Sequence, residues 1–163
     1  MANFIHISDE KNKSSIARNG IKLGNKFSIP RLNIKDQRAI FSVPLTNNYQ
    51  FNHQWMREVK RHQNFCPIAV VFSIPDNEMI WIRNYNEQPL EILAKNAVQY
   101  VQNHGFPMGL ESVIFSKIEP SQIKKIYYPP KVVGWRYYPN AHGKKPSPYL
   151  QRGEPFSNKI SQK

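Results

Sequence analysis

The sequence predicts an α+β domain built on a mixed or antiparallel sheet. Three observations carry that reading. Short apolar, β-branched runs bounded by turn residues recur along the chain: Asn3–Ser8, Ala39–Val43, Ile68–Ile74, Met79–Ile82, Glu111–Phe115 and Ile123–Tyr128. Clear spacing of apolar residues by three and four occurs in one stretch, Leu90 to Val101. The 163 residues are 40% apolar and 12% aromatic against 21% charged, enough to bury one core, which predicts a single domain rather than a disordered basic chain.

Asn3–Ser8 reads as the first strand, with His6 near its end. Asp9 or Ser8 then caps a helix through Lys13, Ile16 and Ala17 that stops at Asn19-Gly20, where glycine supplies a left-handed closing residue. Ala39–Val43 is a strand ended by Pro44, and Asn52 to Arg61 places Trp55, Met56 and Val59 on one helical face. Trp55 and Arg57 belong to that helix as packing and an exposed ion pair. Ile68–Ile74 is almost wholly apolar, as in a strand covered on both faces. Met79–Ile82 follows the Pro75-Asp76-Asn77 turn and can pair with it as a hairpin. Leu90, Leu93, Ala94, Ala97, Val98 and Val101 predict a helix with Pro89 at its first turn and Gly105 beyond its end. Glu111–Phe115 and, after Glu119-Pro120-Ser121, Ile123–Tyr128 complete the set.

Charge divides the chain unevenly. The formal net charge is +12, from 23 basic and 11 acidic residues, and +8 of it lies beyond Ser116 (10 basic, 2 acidic). An excess of that size points to a polyanionic partner. The same segment holds Trp135, Arg136, Tyr137 and Tyr138 in one cluster, with Lys144, Lys145 and Arg152 after it. Aromatic faces beside cations suit single-stranded nucleic acid, stacking bases while neutralising phosphates. A hairpin edge packing its aromatics on the core is the other reading of that cluster. From Lys144 to Lys163 no helical or strand period is present, and a basic flexible tail is expected.

No apolar run approaches the roughly 18 residues that span a bilayer, and Met1 to Asp9 lacks the pattern of a signal peptide. One cysteine, Cys66, excludes an internal disulfide and a cysteine-based zinc site, and its place between Phe65 and Pro67 suits a small buried residue. A cytoplasmic protein with no membrane partner is expected. G-x-G-x-x-G, the Walker loop, H-E-x-x-H and G-x-S-x-G are all absent, and the five histidines show no metal-ligand spacing, so no metal is expected.

What remains is an ordered series: His6 on the first strand, Phe41 on a second and Glu111 opening a late strand after Gly109-Leu110. Taken singly, His6 suits a hydrogen-bonded core histidine and Glu111 a solvated strand start. Their order, however, resembles the ADP-ribosyltransferase superfamily, which carries a His, an aromatic residue and a Glu on three strands of a split sheet. His6-Ile7-Ser8, then a helix closing in Gly20-Ile21, resembles the family's first motif. Ala39-Ile40-Phe41-Ser42-Val43 is similar to the second. Glu111-Ser112-Val113-Ile114, followed by Ile118, Pro120 and Ile123–Ile126, resembles the catalytic-glutamate strand and ending of DarT-like enzymes. The similarity covers roughly residues 3–128, leaving 129–143 as a basic aromatic extension of one domain, 1–143, and 144–163 as the tail.

The resemblance implies an ADP-ribosyltransferase-like split sheet and an enzyme that takes NAD as co-substrate. Glu111 would accept a ribose hydroxyl and stabilise developing positive charge, and His6 would offer a ring nitrogen to a second hydroxyl. Ser8 lies in the same motif. Phe41, with Tyr49 or Phe51 beyond it, would stack on nicotinamide, and Arg18, Arg31 and Arg38 are the candidates for the pyrophosphate. Phe41 stands where many relatives have Tyr, so stacking alone is inherited. No glycine follows His6, unlike in the polymerases, which directs the comparison to DarT-like and phosphotransferase branches. The expected activity is ADP-ribosylation of DNA or RNA, in the manner of a toxin or defence effector with an inhibitor or antitoxin partner. An RNA 2'-phosphotransferase and a non-enzymatic nucleic-acid-binding module on the same fold are the alternatives.

Overall fold

The computed structural model describes residues 1–29, 34–49, 51–52, 66–84, 87–107 and 109–129. Apart from Asn52, the helix expected over Asn52–Arg61, with Trp55 and Arg57, lies outside them, as do the extension after Pro129 and the tail. The described residues form a mixed α/β structure with eight strands and two helices: β1 (Ala2–Asp9), α1 (Lys13–Asn19), β2 (Asn25–Ile29), β3 (Ile34–Pro44), β4 (Pro67–Ile74), β5 (Met79–Arg83), β6 (Leu90–Leu93), α2 (Ala97–Asn103), β7 (Glu111–Ile114) and β8 (Ile123–Tyr127). The strands follow the order β6-β5-β7-β3-β1-β4-β8, with β2 pairing β3 off this path, and each of these pairs is antiparallel.

Alternation sorts the apolar residues onto two sides of the sheet. Phe4, Ile40, Ile68, Val70, Phe72, Ile80, Ile82 and Ile114 face one side, where Ile16 of α1 and Ala97 and Val101 of α2 close over them as the main core. The other side carries two smaller clusters, Ile5–Ile7–Val43–Ala69 and Phe27–Ala39–Val113, the latter with Phe41, Trp81 and Phe115 packed against it. Ile68, Ala69 and Val70 on β4 are all fully buried, which accounts for the apolar run of that strand. Each large aliphatic or aromatic side chain removed from water on this scale contributes about 1.5–3 kcal/mol.

Local signals fix the opening unit. Asp9 accepts from the Lys11 N–H at 3.1 Å and caps a 3-10 turn, Glu10–Asn12, that leads into α1. Gly20 ends α1 at φ +75, its N–H bonded to Ile16 O at 2.9 Å. A Cβ there would lie 1.9 Å from the Ile118 carbonyl oxygen, because Ile21 and Ile118 exchange backbone hydrogen bonds of 2.9 and 3.1 Å.

Three expectations are corrected. Met79–Ile82 does not form a hairpin with Ile68–Ile74: both edges of β4 are taken by β1 and β8 and both edges of β5 by β6 and β7, so neither strand has an edge left for the other. Leu90–Leu93 is strand rather than helix, pairing with β5 from Met79↔Leu93 to Ile82↔Leu90, and helical structure starts only at Ala94. Leu90 and Leu93 stand three apart and continue into the spacing of Ala94, Ala97 and Val101, so sequence periodicity ran two elements together, whereas the β6 residue that packs on the main core is Ile92. Cys66 is exposed, since it precedes β4 at the sheet's end rather than lying within it. In addition, β2 and the first half of β3 form a hairpin that no sequence signal above marks. Its register shifts between Phe27 and Ile29, where β3 holds one extra residue and Asp36 takes φ +49 with its N–H bonded to Ser28 Oγ at 2.8 Å.

Candidate functional site

The strands that carry His6, Phe41 and Glu111 are immediate neighbours, in the order β7, β3, β1. β1 pairs with β4 along its whole length, from Ala2↔Ile74 to Asp9↔Pro67, but its register with β3 is confined to Phe4↔Pro44 and Ile5↔Val43. Beyond Ile5 the edge of β3 changes partner. Alternate carbonyls of a strand point to the same side, so the Phe41 and Ala39 carbonyls face the way Val43 does. The His6 ring meets the first, with Nδ1 2.7 Å from Phe41 O, and the Gly24 N–H meets the second at 3.2 Å. The sheet therefore opens a seam between the outgoing half of β1 and the β2–β3 hairpin, and the His6 imidazole stands where the next ladder bond would be.

A carbonyl can only accept, so Nδ1 carries the proton toward Phe41 and Nε2 is the acceptor nitrogen of the neutral ring. Burial lowers the His6 pKa below its ordinary value of 6.5, partly offset by the bond to Phe41 O, which favours that neutral form at pH 7. Ser8, two residues along the same side of β1, accepts from Asn12 Nδ2 at 3.2 Å and ties the strand to the 3-10 turn.

Phe41 and Val113 are opposite one another in the β3–β7 ladder, and Glu111 follows Val113 on the same side, so the aromatic ring and the carboxylate share one face. What joins them is Arg83, a residue that sequence reasoning missed. Arg83 is opposite Glu111 in the β5–β7 register. Its Nε donates to Glu111 Oε1 at 2.5 Å, and its Nη2 contacts the same oxygen. Its Cζ lies 5.4 Å from the Phe27 ring centroid and 6.0 Å from that of Phe41, and the two rings meet edge to face at 6.1 Å. The Glu111 side chain is 12% exposed and that of Arg83 45%. An arginine closing a strand whose partner opens on a glutamate was the available signal, but only the register pairs them.

On the other side of the same strands, Ser42 and Ser112 are opposite one another and fully buried. Among the described residues neither hydroxyl has a hydrogen-bond partner, a loss worth about 1–3 kcal/mol for each buried group.

The remaining candidates are dispersed. Tyr49 is 45% exposed beside Tyr127, whose pKa is raised by burial and by that neighbour. Its loop is held by Asn52, which accepts from the Thr46 N–H at 2.8 Å and from Thr46 Oγ1 at 2.9 Å. Phe51 is fully buried in the main core against Phe106, at 5.6 Å, and is not a stacking surface. Arg18 is exposed at the end of α1, with Nε bonded to Ser14 O at 3.3 Å, on the helix that closes the opposite side of the sheet. Arg38 is exposed and opposite Lys26, one residue out of phase with the Phe41 side. Arg31, Trp135, Arg136, Tyr137, Lys144, Lys145 and Arg152 lie outside the described residues. Among those described, no three His, Cys, Asp or Glu gather at metal-binding distance, and no helix is long and apolar enough to cross a membrane.

Comparison with protein-family models, with curated proteins and with solved structures finds no match to the chain.

Proposed function

We propose that the protein is an NAD-dependent ADP-ribosyltransferase acting on nucleic acid. The observation that carries this reading is the seam: the histidine, aromatic and glutamate strands stand side by side, and the sheet opens where the histidine meets the aromatic strand. The groups a ribosyl substrate needs stand at or beside that seam: a carboxylate beside an aromatic ring, with a guanidinium next to it, on one face of the sheet, and an acceptor nitrogen on a neutral imidazole that register and alternation place, with Phe4 and Val70, toward the other face and that reaches the aromatic strand through the Phe41 carbonyl. NAD when bound supplies an activated glycosidic bond, which breaks with its electron pair leaving on neutral nicotinamide as the ribosyl carbon bonds to the acceptor.

His6 binds and orients: with Nδ1–H held by Phe41 O, Nε2 takes a hydrogen bond from a ribose hydroxyl. Phe41 supplies an apolar wall that excludes water and disfavours hydrolysis. Glu111 accepts a second ribose hydroxyl, stabilises positive charge developing at the ribosyl carbon, and takes the proton that the acceptor releases. Nucleic acid as the acceptor is supported by the net charge of +12, two thirds of it beyond Ser116.

Incubation with NAD labelled in the adenylate, together with separate DNA, RNA and protein pools, tests the reading. Label is expected in a nucleic-acid pool with release of nicotinamide, and Glu111→Gln is expected to lower the rate at least about 100-fold, the usual scale for loss of such a group. Transfer to protein alone would redirect the assignment. Absence of nicotinamide release with every acceptor would remove the enzyme.

A further inference from the structure

We propose that Arg83 is the phosphoryl-anion receptor of this site and holds the pyrophosphate of the dinucleotide beside Glu111. The assignment of the anion to a dinucleotide rests on the function proposed above. The anion site itself rests on geometry.

Glu111 engages the Nε/Nη2 edge of the guanidinium. An arginine carries five N–H donors in a fixed plane, so this side-on pair leaves the Nη1/Nη2 end edge with its own donors directed away from the carboxylate. The arginine is the exposed member of the pair: its side chain is 45% exposed where that of Glu111 is 12%. Cζ lies 5.4 Å from the Phe27 ring centroid and 6.0 Å from that of Phe41, so the cation stands beside two aromatic rings while Glu111 holds its Nε/Nη2 edge. A planar cation already anchored by a carboxylate gives up less side-chain freedom on binding a phosphate than a lysine or a loose arginine does. The end edge matches two oxygens of a phosphoryl group in bidentate geometry.

Two further points favour this residue over the other cations. Arg18 and Arg38 are exposed on surfaces away from the Phe41–Glu111 face, whereas Arg83 touches both residues. A guanidinium held on a carboxylate also moderates that carboxylate's charge. A phosphoryl group taking up part of the guanidinium's charge returns negative potential to Glu111 when a cationic ribosyl centre must be stabilised. Binding of the anion and readiness of the carboxylate are thereby linked at one side chain.

The experiment measures equilibrium binding to wild type, Arg83→Gln and Arg83→Lys, each checked for native circular dichroism and melting temperature. The probes are NAD, nicotinamide riboside (which has no phosphate), inorganic pyrophosphate and a single-stranded 12-mer oligonucleotide. Arg83→Gln is expected to weaken NAD and pyrophosphate about 10- to 100-fold, the scale of a bidentate charge-assisted contact, and to leave nicotinamide riboside unchanged. Arg83→Lys should recover part of that affinity, because charge is restored without the fork. Unchanged affinity for NAD and pyrophosphate in Arg83→Gln overturns the proposal, as does equal weakening of nicotinamide riboside, which would mean that Arg83 only shapes the site. Weakening confined to the oligonucleotide assigns the anion to a phosphodiester and overturns the dinucleotide source. Failure of the enzymatic reading registers separately: wild type that binds NAD through Arg83 without ever releasing nicotinamide leaves the receptor standing and removes the transferase. If wild type does not bind NAD, the pyrophosphate arm decides the anion site.

Discussion

His6 shows how one side chain can link fold and chemistry. Its imidazole replaces a ladder bond at the point where β1 leaves β3, and that bond selects the neutral tautomer with Nε2 as acceptor. The pH dependence follows from the direction of the shift. The native pKa is lowered from 6.5, so below about pH 6.5 the unfolded chain binds a proton that the native state resists. Stability contributed by neutral His6 is therefore full above that value, falls as pH drops through it toward the lower native pKa, and then levels. Denaturant unfolding of wild type and His6→Asn between pH 8 and 5 should show a steeper loss in wild type, since Asn keeps a donor for Phe41 O but does not titrate. Parallel curves would remove His6 as the source. Glu111 and Arg83 make a different point: each is ordinary in the sequence, and their pairing across β5 and β7 is what gives either a functional reading.

At the scale of elements, the helix stop at Gly20 was legible because a left-handed residue is needed there, but the demand is greater than a helix cap makes. The backbone of Ile118 passes so close that a methyl group at residue 20 would meet its carbonyl oxygen at 1.9 Å. Gly20→Ala should destabilise the protein by on the order of 3 kcal/mol, combining strain at positive φ with displacement of the Ile21–Ile118 bridge. Thermal or urea unfolding measures it, and a change below about 0.5 kcal/mol, the range of an ordinary surface substitution, would contradict the close approach. The main misreading also belongs at this scale. Leu90 to Val101 carries apolar residues at helical spacing, yet Leu90–Leu93 is taken by the edge of β5. Tertiary pairing outweighed a periodicity shared between two short elements. The β2–β3 hairpin escaped notice for a related reason: Asn25–Ile29 is half polar and pairs through its backbone, with Phe27 as its one buried anchor among the described side chains.

Over the whole molecule, charge and sheet geometry support the same assignment. β8 runs along β4 with Ala69↔Tyr127 in register, and Ala69 is also opposite Ile7 of β1, so β8 ends level with the residue after His6. Tyr128 is held there, its hydroxyl donating to Glu10 Oε1 at 2.5 Å and its ring 4.7 Å from Lys13 Nζ. The basic extension therefore begins at the end of the sheet where β1 and β3 part. If it guides nucleic acid, replacing Lys144, Lys145 and Arg152 by alanine should reduce the slope of log affinity against log salt by up to about 3 units, near one for each phosphate left without its cation. Titrations at several salt concentrations test this, and an unchanged slope would take these residues off the nucleic-acid surface.

By itself the sequence determined the α+β class, the first strand and its glycine-closed helix, the strands bearing Phe41 and Glu111, and the concentration of positive charge in the last third. These are local or compositional properties, set by side-chain period, turn residues and net charge, and they survive without knowing which strands touch. The tertiary structure decided that β7, β3 and β1 are neighbours, that the sheet parts beside His6, and that Arg83 rather than Arg18 or Arg38 reaches the carboxylate. Strand order and register join residues as far apart in the chain as Arg83 and Glu111 through long-range backbone pairing, and no window of sequence contains the hydrogen bonds that fix them.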